Sequence, residues 1–214
     1  VTPSISSNAT YDYQAYYSDS SPYLTFYAMG GTWDLAKEAL QWVTPRQVNL
    51  SHIELLVVSE ALASEAGFAE LANEIARTPH LYTTARFVVC AGDARTFVAS
   101  GETVIGTRMS AEIKAMLKHY TAEGYIPDVS FADFCFSASD IYSDPVAIWG
   151  YCEDVANTRI DMSGAEDSSP VSQRFSGAAL FRKGAFLRAL SLEETRLLEL
   201  LRGESKSFAY NHGD

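Results

Sequence analysis

Apolar residues along the chain follow two patterns, short continuous runs and longer stretches at helical spacing. Ile53–Val58 and Arg86–Cys90 are short, largely apolar runs, which is typical of strands buried on both faces. Tyr23–Met29 predicts a further strand. A helical pattern follows each of the three. The chain up to Ala99 therefore predicts three β-α units with parallel strands and right-handed crossovers.

Turn and capping residues delimit the helices of these units. Thr32 is a suitable cap for a helix in which apolar residues recur at helical spacing over Trp33–Val43. Ser59 can cap the second helix, and Gly67 is expected to divide that helix in two. The third helix is short and covers Gly92–Ala99.

The second half of the chain predicts two more helices and strands of a different kind. Ile105–Tyr120 carries one apolar stripe and is the clearest helix. Ser130–Ser137 is expected to be helical as well. Val146–Tyr151 and Gly177–Phe181 resemble strands, separated by a polar loop over Met162–Gln173.

A final helix follows Phe186–Leu190. Ser191 and Glu194 have the spacing of a capping box, and Gly203 is a natural stop. The helix between them carries four leucines: Leu197, Leu198, Leu200 and Leu201.

These elements predict an α/β fold with α+β character towards the C-terminus. We expect a mixed sheet with three N-terminal β-α units, parallel to one another, then C-terminal antiparallel strands, all flanked by helices. Residues 1–22 are expected to form an irregular arm rich in Tyr and Ser. Residues 23–203 form a single domain in this interpretation, and residues 204–214 begin a linker or tail.

Composition and charge narrow the class of protein. The 214 residues are 47% hydrophobic, which suits one globular domain, and the formal net charge is -11. Nucleic-acid binding and attachment to anionic lipid through a polybasic patch both require basic surfaces, and the basic stretches here are short and interrupted by acids. The sequence has no run of 18 apolar residues, the length that predicts a transmembrane helix. Its three cysteines include no CxxC pair and do not predict a disulfide framework.

Motifs for catalysis or cofactor binding are absent from the sequence, which has no phosphate loop, nucleophile elbow or HExxH. No catalytic residue, cofactor or metal ligand is therefore assigned. If a small molecule binds, we expect it at the carboxyl ends of the parallel strands, where Gly30, Gly31, Ser59 and Gly92 would converge. His52 and Glu54 lie two positions apart and could serve acid–base chemistry or hold a metal, but no third partner is indicated.

Several stretches, taken in order, resemble the Ger(x)C family, the C subunits of spore-germination nutrient receptors. The resemblance covers about residues 23–203. It rests on Gly30–Leu40, Ser51–Ala63, Arg86–Ala94 and Phe175–Phe186, the last followed by Leu190 and by Glu193 to Arg196.

The resemblance implies a non-enzymatic, lipid-anchored subunit on the outer face of the spore inner membrane. Its partners would be two integral-membrane receptor subunits, and no cofactor is implied. Family members normally begin with a lipidated Cys and continue through further domains. The chain is accordingly interpreted as an isolated N-terminal domain whose anchor is not in this sequence.

Three functions remain open at this point. A receptor or scaffold subunit predicts exposed apolar or aromatic surface for docking. A germinant-binding domain predicts stabilisation by a small nutrient molecule. A hydrolase using His52 and Glu54 is the least favoured and predicts a convergent third residue.

Overall fold

Seven helices and seven strands occur in the part of the chain that the structure describes. The computed structural model describes residues 11–12, 23–24, 28–43, 48–99, 109–154 and 171–204. The helices are α1 (Trp33–Val43), α2 (Glu60–Ala63), α3 (Phe68–Ala76), α4 (Ala94–Ala99), α5 (Met109–Ala122), α6 (Phe131–Ser139) and α7 (Leu192–Arg202). The strands are β1 (Tyr11–Asp12), β2 (Tyr23–Leu24), β3 (Leu55–Ser59), β4 (Arg86–Cys90), β5 (Val146–Asp154), β6 (Val171–Arg182) and β7 (Ala185–Ala189).

Five of these strands form one mixed sheet in the order β3-β4-β5-β6-β7. β3, β4 and β5 are parallel, with Leu55 opposite Arg86 and Val88 opposite Ile148. β6 runs antiparallel to β5, and β7 runs antiparallel to β6. The predicted fold class, α/β with parallel strands first and antiparallel strands later, is confirmed.

One of the three strands predicted to be parallel is not part of the main sheet. Tyr23–Leu24 does not join the main sheet but pairs antiparallel with Tyr11–Asp12. Ala28 and Met29 lie outside any strand, and the residues between Leu24 and Ala28 lie outside the described part. The third parallel strand is β5. It is reached from β4 through α4, α5 and α6, a connection long enough for a parallel crossover.

β6 is longer than its apolar run predicts. The polar loop expected up to Gln173 ends earlier, because Val171 already pairs with Asp154 of β5. Gln173 is buried, and its side-chain amide donates to the backbone oxygen of Phe97 at 2.6 Å. The strand can hold this polar side chain because α4 offers it a carbonyl partner.

Two apolar clusters cover the two faces of the sheet. On one face, side chains of α1, α3 and α6 pack on the sheet, and rings of Phe68, Phe87, Phe134 and Phe181 meet at centroid distances of 4.5 to 6.3 Å. On the other face, α4 and α5 pack against Val88, Ile148 and Phe175. Helices on both faces of this mixed sheet give a three-layer α/β arrangement.

The capping predictions are confirmed. The Ser59 hydroxyl accepts from the Leu62 N–H, and Gly67 separates α2 from α3 with φ 93°. Ser191 and Glu194 form the capping box of α7. Gly203 ends that helix in the left-handed conformation, with the N–H groups of Gly203 and Glu204 donating to Leu200 and Glu199.

Candidate functional site

The four residues predicted to surround a small molecule are not all brought together. Ser59 lies opposite Cys90 in the β3–β4 register, and Gly92 follows two residues later, so these two share the carboxyl edge of the parallel strands. The start of α1 is fixed elsewhere, since the Trp33 indole N–H donates to the Thr78 hydroxyl at 2.6 Å. Thr78 follows α3, which returns from the carboxyl edge to the amino edge.

Gly30 and Gly31 precede Trp33 directly and therefore belong to the α1 end of the molecule. A Cβ atom at Gly30 would lie 2.3 Å from the Ala36 nitrogen, so a side chain there would collide with the first turns of α1. This contact gives the glycine a packing role. Ligand binding by Gly30, Gly31, Ser59 and Gly92 stays a prediction.

The helix N-termini at the carboxyl edge are occupied by the chain's own side chains. Ser59 caps α2, and a carboxylate oxygen of Asp93 accepts from the N–H and hydroxyl of Thr96 at 3.0 and 2.9 Å. Burial raises the pKa of Asp93, but the hydrogen bonds from Thr96 and Arg95 outweigh it, and the pKa lies below its usual value. An anionic ligand at this edge would have to displace these acceptors.

His52 and Glu54 lie in the turn that precedes β3, rather than within the strand. Both are exposed, and the Glu54 carboxylate lies 3.4 Å from the Lys114 ammonium. Within the described ranges, no three side chains of the metal-binding types come together. Nor is any described helix both long enough and apolar enough to cross a membrane.

The outward side of α1 exposes large apolar residues as well as charged ones. Trp33, Ala36 and Leu40 are buried, which fixes the rotation of the helix. Trp42 consequently points to solvent and is 84% exposed, and Leu35, two turns earlier on the same face, is exposed as well. A tryptophan this exposed is unusual for a surface helix with no partner.

A second exposed apolar region lies at the end of α6. Phe136 in the helix, and Ile141 and Tyr142 just after it, are all exposed, Tyr142 at 91%. The turn is held by the Asp140 carboxylate, which accepts from the Tyr142 N–H at 3.1 Å. The aromatic and aliphatic side chains therefore project from an ordered turn.

α7 exposes most of its leucines to solvent and buries two polar residues. Thr195 and Glu199 are buried, whereas Leu197, Leu200 and Leu201 are exposed, Leu201 at 86%. Only Leu198 of the four leucines packs on the core. The guanidinium of Arg196 lies 5.3 Å from the Tyr125 ring centroid, which fastens the inward side of the helix to the end of α5.

Glu199 is the most perturbed carboxyl group of the described residues. Burial raises its pKa to about 7, with further upward contributions from the carboxylates of Glu204 and Asp128 and an opposing one from Arg202. The side chain is 4% exposed. The helix thus holds a proton on a buried acid near neutral pH.

Sequence reasoning did not find the outward leucines of α7 or the buried Glu199. A signal was present, because leucines at 197, 198, 200 and 201 surround the helix and cannot all face inward. Which side turns inward depends on Gly177 and Tyr125, which are distant in sequence. A Cβ at Gly177 would lie 3.4 Å from the Thr195 hydroxyl, so α7 lies directly on β6.

The fold and the surface define a three-layer α/β domain with apolar side chains exposed on ordered helices. Over residues 3–148, more than half of its length, the chain matches the family model of the spore germination protein N-terminal domain. The chain belongs to this family, and its role is in spore germination. No curated protein and no solved structure matches the chain.

Proposed function

We propose that the domain is a non-catalytic docking subunit of a nutrient-germinant receptor, assembling with integral-membrane receptor subunits. The observation that carries the proposal is the α1 face formed by Leu35 and Trp42, which are 54% and 84% exposed. A few buried anchor residues carry most of the energy of protein interfaces, and tryptophan is enriched among them. The family's role in germination supports a receptor context.

The α1 face is suited to docking because it is rigid before binding. The Trp33–Thr78 hydrogen bond and the buried Ala36 and Leu40 hold the helix on the core. The Asp34–Lys37 ion pair at 2.8 Å lies on the exposed side of the first turn. A preformed face loses little conformational entropy on association, so its apolar area contributes efficiently to affinity.

The partner surface in this proposal is protein. The net charge of -11 opposes direct contact with anionic lipid headgroups. The domain would lie on the outer side of the spore inner membrane, held there by a lipid anchor, as the resemblance to the Ger(x)C family implies.

The test uses spores that carry Trp42→Glu in the full-length protein. We expect loss of dipicolinic acid release in response to a subset of nutrients, and loss of co-purification with the integral-membrane subunits. Leu187→Glu is the matched control, because Leu187 is an exposed apolar residue on the edge strand β7 and is not part of the α1 face. Normal release and co-purification in a Trp42→Glu strain with wild-type protein levels would refute the proposal.

A small-molecule role is the second candidate, favoured by the shared position of Ser59 and Gly92 at the carboxyl edge. This function predicts that one germinant raises the melting temperature of the pure protein. At a hundred times the dissociation constant, the stabilisation is about 2.7 kcal/mol. Gly92→Val should abolish the shift, and Gly203→Val, also at a positive φ with open space around it, should leave it intact.

A further inference from the structure

The last buried side chain of α7 is an acid. Thr195 and Glu199 are the buried residues of this helix, and residues 200–204, which follow, are all exposed. Other contacts hold the amino-terminal part of α7, namely the capping box of Ser191 and the close approach of Thr195 to Gly177. The final turn of the helix is therefore held against the domain mainly through Glu199.

The buried position of Glu199 suits a neutral acid better than a charged one. The side chain is 4% exposed, and its Oε1 atom makes no hydrogen bond within the part of the chain that the structure describes. Arg196, one turn earlier in the helix, lies over the Tyr125 ring. An ionised carboxylate in such a position loses the hydration that stabilises its charge, whereas a protonated carboxyl group has no charge to lose.

The charged groups around Glu199 are already paired with one another. Glu204, just after the helix, and Asp128, before α6, disfavour the charged form of Glu199, whereas Arg202 favours it. Arg202 lies 3.3 Å from Glu204, and Arg86 of β4 forms an ion pair with Asp128. Each neighbouring carboxylate thus has a guanidinium partner, and among the described residues no ion pair includes Glu199.

We propose that α7 is a pH-dependent latch, closed while Glu199 is protonated and open at its carboxyl-terminal end when Glu199 is ionised. Opening brings the carboxylate into water and loosens the contact of Leu198 with the core. Burial raises the pKa of Glu199 to about 7 in the closed form, whereas an exposed carboxyl group has its usual pKa of 4.5. The open form therefore gains population as the pH rises between these values, and no further above them.

Amide hydrogen exchange at pH 5 and pH 8 tests the latch. After correction for the intrinsic exchange rate, the amides of Leu200, Leu201 and Arg202 should lose at least about tenfold protection between the two pH values. At pH 8 their exchange should depend less on urea than that of Val88 and Val89, because a local opening exposes little surface. Equal urea dependence would mean that α7 opens only with the whole domain, which would overturn the proposal.

Substitutions of single acids separate Glu199 from its neighbours. Glu199→Gln keeps the shape of the side chain but cannot ionise, so the amides at the end of α7 should be equally protected at pH 5 and pH 8. Glu193→Gln is the matched control, because Glu193 is exposed in the first turn of α7, and it should lose protection as the wild-type protein does. Glu204→Gln should reduce the loss, since it removes a like charge near Glu199. The same loss in Glu199→Gln as in the wild-type protein would overturn the proposal.

A second measurement needs no substitution. NMR titration of the side-chain carboxyl carbons in the wild-type protein gives the pKa of Glu199 directly, and we expect this pKa to lie well above the usual 4.5. Titration of Glu199 near 4.5 in the folded protein would remove the basis of the latch. Neither measurement involves Trp42, so the latch can fail or stand independently of the role proposed for the α1 face.

Discussion

Gly177 lets two parts of the chain approach more closely than any side chain would permit. It lies in an irregular part of β6 with φ 94°, and a Cβ there would be 2.1 Å from the carbonyl oxygen of Leu190. Its N–H donates to the Tyr125 carbonyl at 3.0 Å. One residue thus joins β6, the end of α5 and the start of α7.

Gly177→Ala should therefore lower the free energy of unfolding by roughly 2–4 kcal/mol, from the left-handed backbone and the collision together. Gly203→Ala is the control. Gly203 also has a positive φ, at 72°, but a Cβ there would have no heavy atom within 4 Å, so a loss of about 1 kcal/mol is expected. Urea unfolding measures both, and equal losses would contradict the role of the close approach.

At the scale of elements, α7 shows how a helix can expose its leucines and bury an acid. The capping box and Gly203 define its ends from local sequence alone. Its rotation is set by Gly177 of β6, which lies against Thr195, and by Tyr125 in the turn after α5, whose ring lies under Arg196. The same rotation buries Glu199, and the free energy of unfolding therefore depends on pH.

The unfolded chain ionises Glu199 near its usual pKa of 4.5, while the folded protein keeps the proton up to about 7. The free energy of unfolding should therefore fall as the pH rises from about 4.5 to about 7. Glu199→Gln removes this loss. We expect the gain in stability from this substitution to be about 2–3 kcal/mol larger at pH 8 than at pH 5.

Urea unfolding of the wild-type protein and of Glu199→Gln at pH 5 and pH 8 measures the effect. The comparison at pH 5 is the control. A gain of the same size at both pH values would show that the amide improves packing and that the proton on Glu199 is irrelevant.

For the molecule as a whole, the sheet has a protected interior and exposed edges. β4 and β5 have a strand on each side and helices on both faces, and Val88, Val89, Ala147 and Ile148 have no exposed surface. β7 is an edge strand with Leu187 and Arg188 exposed.

Amide hydrogen exchange should reflect this arrangement. We expect the amides of Val88 and Val89 to exchange only through global unfolding, and those of β7 to exchange through smaller openings that are less sensitive to denaturant. The measurement is native-state exchange at increasing urea concentrations. Equal protection in β4 and β7 would mean that the sheet opens as one unit.

Much of the fold follows from local patterns. α1 and β4 lie where the apolar spacing predicts them, and Ser59, Gly67 and Ser191 act as predicted at helix ends. The positions of the four candidate site residues do not follow from local patterns in the same way. Ser59 and Gly92 meet because neighbouring parallel strands end together, but Gly30 and Gly31 are held apart from them by the Trp33–Thr78 contact. That contact joins residues 45 positions apart and has no local signal.

The amino-acid pattern is enough to establish most of the helices and strands, most of the helix caps, the acidic charge and the resemblance to a germination family. These features depend on apolar periodicity and short-range hydrogen bonds, which involve only a few neighbouring residues, or on composition, which does not depend on the fold. Contacts in the folded molecule are needed to establish that β5 is the third parallel strand, that Trp42 and Leu201 face solvent and that Glu199 is buried. The physical reason is that strand pairing and helix rotation are chosen by contacts between distant segments, where the apolar area buried in the whole molecule outweighs the preference of any one segment.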